Sequence, residues 1–322
     1  MEYVTLGRTG LRVSVAGLGC GGFSQLGLAQ GQTEDDAIAI IREAVDLGVN
    51  LFDTAAAYGT EAVLGKGIKP VRREEVVITT KAPFSFSNPH STPEGIVESL
   101  DKSLRHLDTS YVDIYQLHGV PPNAYDHACN ELAPVLLREK EKGKLRYLGI
   151  TETAPHDPEH QTLNRAAQDG VWDVLMVGFH MMHQNARERV FPLTRANRVG
   201  TLLMFVVRKI FSQPELLRTT IRNLVAAGEL PQWLAEVPDP LGFVVHESGA
   251  STIPDAAYRF VRHEPGVDVV LFGTGDPAHL RANIASILKP PLPKPDREQL
   301  AALFGHLVGV GLDAPHLSRP RN

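Results

Sequence analysis

Short apolar runs recur along this chain, each separated from the next by a longer stretch with helical spacing. Eight of them read as buried strands, at 15–18, 50–53, 76–81, 112–117, 145–150, 174–179, 201–206 and 267–272. The spacing between them predicts helices. Thr33 is placed to cap the first, and Glu34, Asp35 and Asp36 suit the positive end of its dipole. Ala37, Ile40, Ile41, Ala44 and Val45 then repeat at helical intervals until Gly48 ends the helix. Further helices are expected over about 60–67, 92–107, 126–142, 157–168, 186–196 and 277–288. Eight β/α repeats point to the α/β class and to a closed (β/α)8 TIM barrel. A hairpin-like segment at 3–14, turning at Thr9 and Gly10, precedes the barrel, and an extra helix at about 297–308 follows the Pro-rich stretch 289–295. The segment 214–257 reads as a long irregular loop, and a loop of that length is usually functional or mobile. The tail 309–322 is expected to be mobile. No linker interrupts the pattern, so 1–322 is expected to be one domain.

Composition narrows the partners. The 322 residues are 43% hydrophobic and 21% charged, as in an ordinary globular protein. Net charge is -5, from 32 basic and 37 acidic residues in no long blocks, which argues against nucleic acid or an anionic membrane as partner. Cys20 and Cys129 are too far apart for a metal motif and make no disulfide framework, so a cytoplasmic location is expected. The N-terminus lacks the basic-then-apolar text of a secretory signal, and no apolar stretch reaches the ~18 residues of a membrane span.

Chemistry concentrates at strand ends. Asp53 and Lys81 end the second and third runs, His118 ends the fourth, and Tyr58 follows Asp53 by five residues. Polar groups at the C-terminal ends of buried parallel strands are where a barrel places its active site. Free tyrosine, with a pKa of ~10, is a weak acid at neutral pH. A nearby ammonium stabilises its phenolate, and a buried carboxylate keeps that ammonium charged. Asp53, Lys81 and Tyr58 fit those roles, and His118 can orient a carbonyl or relay a proton. A single Tyr, Lys or His in such a place is more often packing or a solvated charge; four complementary types together are a stronger signal.

The chain resembles the aldo-keto reductase family. The matching text is Leu6-Gly-Arg-Thr-Gly-Leu-Arg-Val-Ser14, Gly17-Leu-Gly-Cys20, Phe52-Asp-Thr-Ala55 with Ala57-Tyr-Gly59, Thr80-Lys81, the stretch 113–118, and Gly143-Lys-Leu-Arg-Tyr-Leu-Gly-Ile150. The resemblance runs over almost the whole chain. It implies an oxidoreductase using NADP(H) or NAD(H), with a small carbonyl or sugar lactol as substrate. Tyr58 falls in the role of general acid/base, Asp53 and Lys81 tune it, and His118 orients the carbonyl.

The family's cofactor positions are carried over with changes. After the eighth strand, Gly273 and Thr274 suit a phosphate, and Asn283 matches an adenine contact. Gly273 stands where NADP-preferring members have Lys, His279 where they have Arg, and Asp276 adds a negative charge. Arg281 is a substitute cation only if it points inward. After the fifth strand, Thr151 and Glu152 replace a Ser/Asn pair that holds the nicotinamide amide. On the sixth, Gly178 or a neighbour stands in place of a Gln. Phe205 is the candidate stacking ring, and Arg208 and Lys209 are candidates for the pyrophosphate.

Other residues invite other readings. Among the remaining histidines, His180, His183 and His246, the first two follow the sixth strand and suggest metal ligands, but no third ligand has suitable spacing, so no metal is expected. Phe23, Phe84 and Phe86 are candidates for an apolar substrate wall. Two competing functions remain open. One is a catalytically weak nucleotide-binding regulator or scaffold, as the family's potassium-channel β subunits suggest. The other is a Schiff-base aldolase using Lys81, which a charged partner at Asp53 opposes.

Overall fold

Eight parallel strands close on themselves. They are β3 (Ala16–Gly19), β4 (Leu51–Asp53), β5 (Val77–Pro83), β6 (Val112–His118), β7 (Leu145–Thr151), β8 (Val174–Gly178), β9 (Gly200–Met204) and β10 (Val269–Phe272), with β10 returning to pair with β3. This is the (β/α)8 TIM barrel expected from the eight repeats. The computed structural model describes residues 1–84 and 91–313, so Phe86 lies outside the described residues.

Alternation along the strands explains where the chemistry goes. Leu51, Val77, Ile114, Val174, Met176, Leu202 and Val269 form one apolar cluster with Leu6, Leu11 and Val13. The last three belong to the antiparallel hairpin of β1 (Tyr3–Thr5) and β2 (Arg12–Ser14), which covers the N-terminal end of the barrel. Side chains of a strand repeat on one face every second residue. Two or four residues beyond the inner apolar set, the same faces carry Asp53, Lys81, His118, Thr151 and Gly178 at the C-terminal mouth.

Capping sets the helices. Thr33 and Asp36 form the reciprocal capping box of the first helix, Glu34–Asp46. Thr92 caps Pro93–Leu107, with its hydroxyl accepting from the Gly95 amide. The helix expected over 157–168 is shorter, Gln161–Ala166. Asp157 stays outside it, its carboxylate taking the amides of Gln161 and Thr162 at 2.9 Å each. The helix expected over 186–196 breaks into Ala186–Arg189 and Phe191–Asn197 at Val190, two residues before Pro192.

The segment 214–257 is not the long irregular loop expected. It holds a thirteen-residue helix, Pro214–Ala226, with Leu217, Ile221 and Val225 buried at four-residue intervals. A second helix, Ile253–Arg262, begins within it, capped by Thr252. At the tail, residues 309–313 are tied down: the Gly309 amide donates to His183 Nδ1 at 3.1 Å, and Asp313 pairs with Arg208. Residues 314–322 lie outside the described residues. Among the described residues no helix is long and apolar enough to cross a membrane.

Candidate functional site

Asp53 is the last residue of β4, and its register partner on β5 is Thr79; Lys81 is two residues further on the same face. The two side chains therefore meet inside the mouth. Lys81 Nζ lies 2.7 and 2.8 Å from the two Asp53 oxygens and donates to the Thr54 carbonyl at 2.8 Å. Lys81 has no exposed surface. Burial pulls its pKa down, but the charge of Asp53 and the Tyr58 phenol outweigh this and leave it raised. A lysine held protonated is a poor nucleophile, which opposes the Schiff-base reading. Burial raises Asp53 in turn, against the pull of Lys81.

Tyr58 ends a single 3-10 turn, Ala56–Tyr58, and Gly59 follows with φ +73°. Its ring lies 4.8 Å from Lys81 Nζ, and its hydroxyl is 3.4 Å from His118 Nε2. The two rings meet edge to face. All four candidate residues are thus brought together. The phenol is not made more acidic than usual, as the sequence led us to expect. Burial raises its pKa, and Lys81 only partly offsets that. The Tyr58 phenol is therefore neutral at neutral pH, with the Lys81 ammonium beside its ring to favour a phenolate.

Two further residues shape this corner. The Gly21 backbone lies close against Tyr58: a Cβ there would sit 2.4 Å from the ring. The Cys20 amide donates to the Asp53 carbonyl at 2.7 Å, and its buried thiol is pushed up by desolvation. The Gly-Cys-Gly-Gly run after β3 was a visible turn signal; the ring it would meet was not visible.

The candidate cofactor residues divide into three groups. At the end of β7, the Thr151 hydroxyl accepts from the Gly119 amide at 2.6 Å, leaving its proton available to donate. Glu152 is turned toward β8, where its Oε1 accepts from the Gly178 amide at 2.7 Å. Its Oε2 lies 2.7 Å from Nδ1 of His160, a residue for which the sequence held no signal. A Cβ on Gly178 would lie 3.0 Å from Ala154 Cβ and 3.3 Å from both Glu152 Oε1 and the Phe205 ring, so these neighbours close directly on the glycine backbone.

After β9, Phe205 takes φ +65°, a left-handed conformation that a bulky residue adopts only when its surroundings hold it there. Arg208 lies 4.4 Å from the Phe205 ring centroid and 5.0 Å from that of Phe23, and it pairs with Asp313 at 3.2 Å. Lys209 lies 4.4 Å over Phe23. Phe23 is half-buried at the mouth, while Phe84 packs into the core.

After β10, Thr274 is buried and accepts from the Asp276 amide at 3.0 Å. Asp276 caps Pro277–Leu288, taking the Ala278 and His279 amides at 2.7 and 3.0 Å. Gly273 and His279 are exposed and Asn283 is half-buried. Arg281 does not point inward: its Nε pairs with Glu43 at 2.6 Å on the first helix.

His180 and His183 are fully buried, and burial pushes both well below the ordinary imidazole range, to about 3 and about 2. His246 pairs with Asp296 at 3.1 Å. Among the described residues no group of three or more His, Cys, Asp or Glu side chains is placed to hold a metal.

Comparison with known proteins agrees with this geometry. L-galactose dehydrogenase of Arabidopsis thaliana is 34% identical over 208 residues, covering 63% of this chain and 64% of that protein, a little under two thirds of its length. The NADH-specific methylglyoxal reductase of Escherichia coli is 27% identical over 317 residues, covering 89% and 94%. The holo form of aldo-keto reductase AKR11C1 from Bacillus halodurans superposes with a TM-score of 0.71 at 22% identity, over 97% of this chain and 100% of that one, a likeness of fold. The model of the Aldo/keto reductase family matches residues 17–304, and with that match the chain belongs to this family of oxidoreductases.

Proposed function

We propose that this protein is an NAD-dependent oxidoreductase interconverting a small carbonyl compound, or a sugar lactone, with the corresponding alcohol or lactol, and that Tyr58 is its general acid/base. The observation that carries the reading is the fourfold cluster, with Tyr58 Oη 3.4 Å from His118 Nε2 and its ring 4.8 Å from the Asp53-bound ammonium of Lys81. The bound nicotinamide supplies a hydride in one direction and accepts one in the other. In reduction, hydride adds to the carbonyl carbon, the π pair moves to oxygen, and Tyr58 donates its proton there. In oxidation, the C–H pair leaves as hydride, and Tyr58 takes the hydroxyl proton as it hands its own to His118. Lys81 stabilises the phenolate character that develops in either direction.

Phe205, held at the mouth with φ +65°, is proposed as the ring on which the nicotinamide stacks, with the Thr151 hydroxyl proton available to its amide. Gly273, Thr274 and Asn283 are the residues proposed for the adenosine end. NAD is favoured over NADP because a 2′-phosphate needs cationic partners. Asp276 already caps the nearby helix, Arg281 is engaged by Glu43, and Gly273 brings no charge. Arg208 reaches a pyrophosphate only by exchanging Asp313 for it.

Thermal unfolding with each nucleotide tests this directly. NADH at a hundred times its Kd should stabilise the protein by about 2.7 kcal/mol, with NADPH needing a higher concentration for the same effect. Tyr58→Phe should then lower turnover by about 10²–10⁴-fold while nucleotide affinity holds. No stabilisation by either nucleotide at millimolar concentration overturns the reading. Tight binding without turnover across aldehydes, ketones and lactols would favour a nucleotide-binding regulator instead.

A further inference from the structure

Tyr58 rides on a loop whose two ends are tied together. Thr54 and Thr60 stand on either side of the turn that carries the phenol, and their hydroxyls lie 2.9 Å apart. Neither residue has any exposed surface. Thr60 also stands at the start of the helix Glu61–Ile68, where a threonine ordinarily spends its hydroxyl on the free amides of the first turn. Here it makes no such bond. The hydroxyl goes to Thr54 instead, so the helix start departs from the local rule beside the candidate active site, where such departures gather.

Both ends of the loop are also fixed to β5, the strand that carries Lys81. The Thr54 amide donates to the Thr79 carbonyl at 2.9 Å, and the Thr54 carbonyl accepts from Lys81 Nζ at 2.8 Å. Successive side chains of a strand alternate, so Thr80 faces away from the barrel interior that Lys81 enters. Its buried hydroxyl donates to Glu61 Oε1 at 2.7 Å. Residues 79–81 thus hold the loop at 54 and at 61, and the hydroxyl pair sets the distance between those ends. Within the turn the Tyr58 amide donates to the Ala55 carbonyl at 3.0 Å, so the ring moves with this frame.

We propose that Thr60 is a positioning residue for the reaction: clasped to Thr54, it sets where the Tyr58 phenol stands between Lys81 and His118. The inference rests on the reading of Tyr58 as general acid/base. Distances give its size. The two hydroxyl oxygens are 2.9 Å apart, whereas two methyl carbons settle at ~3.5–4.0 Å. Replacing the pair by methyls therefore opens the loop by about 1 Å. A displacement of about 1 Å at a reacting group can cost about a hundredfold in rate.

The test measures reduction of para-nitrobenzaldehyde by NADH in the wild type, Thr60→Val, Thr60→Ser and a double variant, Thr54→Val with Thr60→Val. Thr60→Val should lower kcat by about ten- to a hundredfold. KM and NADH affinity should hold, because no group that touches either ligand is removed. Thr60→Ser keeps the hydroxyl and should retain most of the turnover. The double variant separates positioning from stability. With both hydroxyls gone no polar group is left unpaired, so its melting temperature should recover toward the wild type. Its turnover should stay at least as low as in Thr60→Val, because methyls hold the ends apart. Turnover that recovers together with the melting temperature marks a merely structural role and overturns the inference, as does a wild-type kcat in Thr60→Val. In either case a loss of turnover in Tyr58→Phe keeps the general acid/base reading, whereas Tyr58→Phe as active as the wild type removes both. If the wild type does not reduce this aldehyde, a crystal structure of Thr60→Val decides. Tyr58 Oη still 3.4 Å from His118 Nε2 overturns the inference, and a shift of about 1 Å upholds it.

Discussion

Tyr58 is placed by contact as much as by charge. The ring is bounded by His118 at its hydroxyl, by Lys81 over its face, and by the Gly21 backbone against its edge. The first two are recognisable in sequence because each titratable group ends an apolar run. Gly21 is not, because its importance lies in an atom it lacks and a ring thirty-seven positions away. Gly21→Ala follows as a sharp test at this scale. The new methyl would sit 2.4 Å from the Tyr58 ring, a distance that carbon atoms do not share, so the phenol must turn away from His118. Turnover should fall by about a hundredfold or more, since misplacing a reacting group by about 1 Å can cost that much. The melting temperature should change far less than in a core mutant. Unchanged turnover in Gly21→Ala would mean that the phenol position seen here does not govern the chemistry. His160 and Asp313 escaped the sequence for the same reason as Gly21: their partners, Glu152 and Arg208, are defined only by the fold.

Elements came through the sequence unevenly, and the pattern has a physical cause. The barrel strands were legible as apolar runs, and helices with a cap and a long apolar stripe, such as Glu34–Asp46 and Pro93–Leu107, were legible nearly to the residue. Pro214–Ala226 was hidden by the prolines that follow it at 231, 238 and 240, although Leu217, Ile221 and Val225 carry the helical period. Helix contacts depend on small residues that give no periodic signal. The helix after Tyr58, Glu61–Ile68, carries Gly65 against the carbonyl of Leu107 and Gly67 against Ile41. A Cβ at Gly65 would lie 2.5 Å from the Leu107 oxygen, which belongs to the backbone and cannot rotate aside. Alanine is the better helix former by ~1 kcal/mol, but overpacking costs ~1–3 kcal/mol. Gly65→Ala should therefore be net destabilising by about 1–2 kcal/mol in urea unfolding. Stabilisation by the variant would mean that the close approach of these two helices is not maintained in solution.

At the scale of the whole molecule, the last two barrel strands, β9 and β10, meet along a seam near the N-terminal hairpin that covers the bottom. Asp268, just before β10, lies at that seam. Its carboxylate accepts the Thr201 amide of β9 at 3.0 Å and the amide of Gly7, and its own amide donates to the Thr201 hydroxyl at 3.0 Å. Burial raises its pKa to about 6, against the pull of those amides and of Arg262. The folded state therefore binds this proton more tightly than the unfolded chain, whose carboxyl titrates near 3.8. The sign is then fixed: the contribution to stability is full below the unfolded value and is lost as pH rises through about 6. A rise of that size corresponds to about 3 kcal/mol, which the partial exposure of the group trims to about 2 kcal/mol. Asp268→Asn keeps an oxygen for the Thr201 amide and removes the titration. Between pH 4 and pH 7 the wild type should lose about 2 kcal/mol relative to this variant, read as the difference between their urea unfolding free energies at each pH. A difference that stays constant across that range would show that the carboxylate at the seam is as well solvated in the folded barrel as in the open chain.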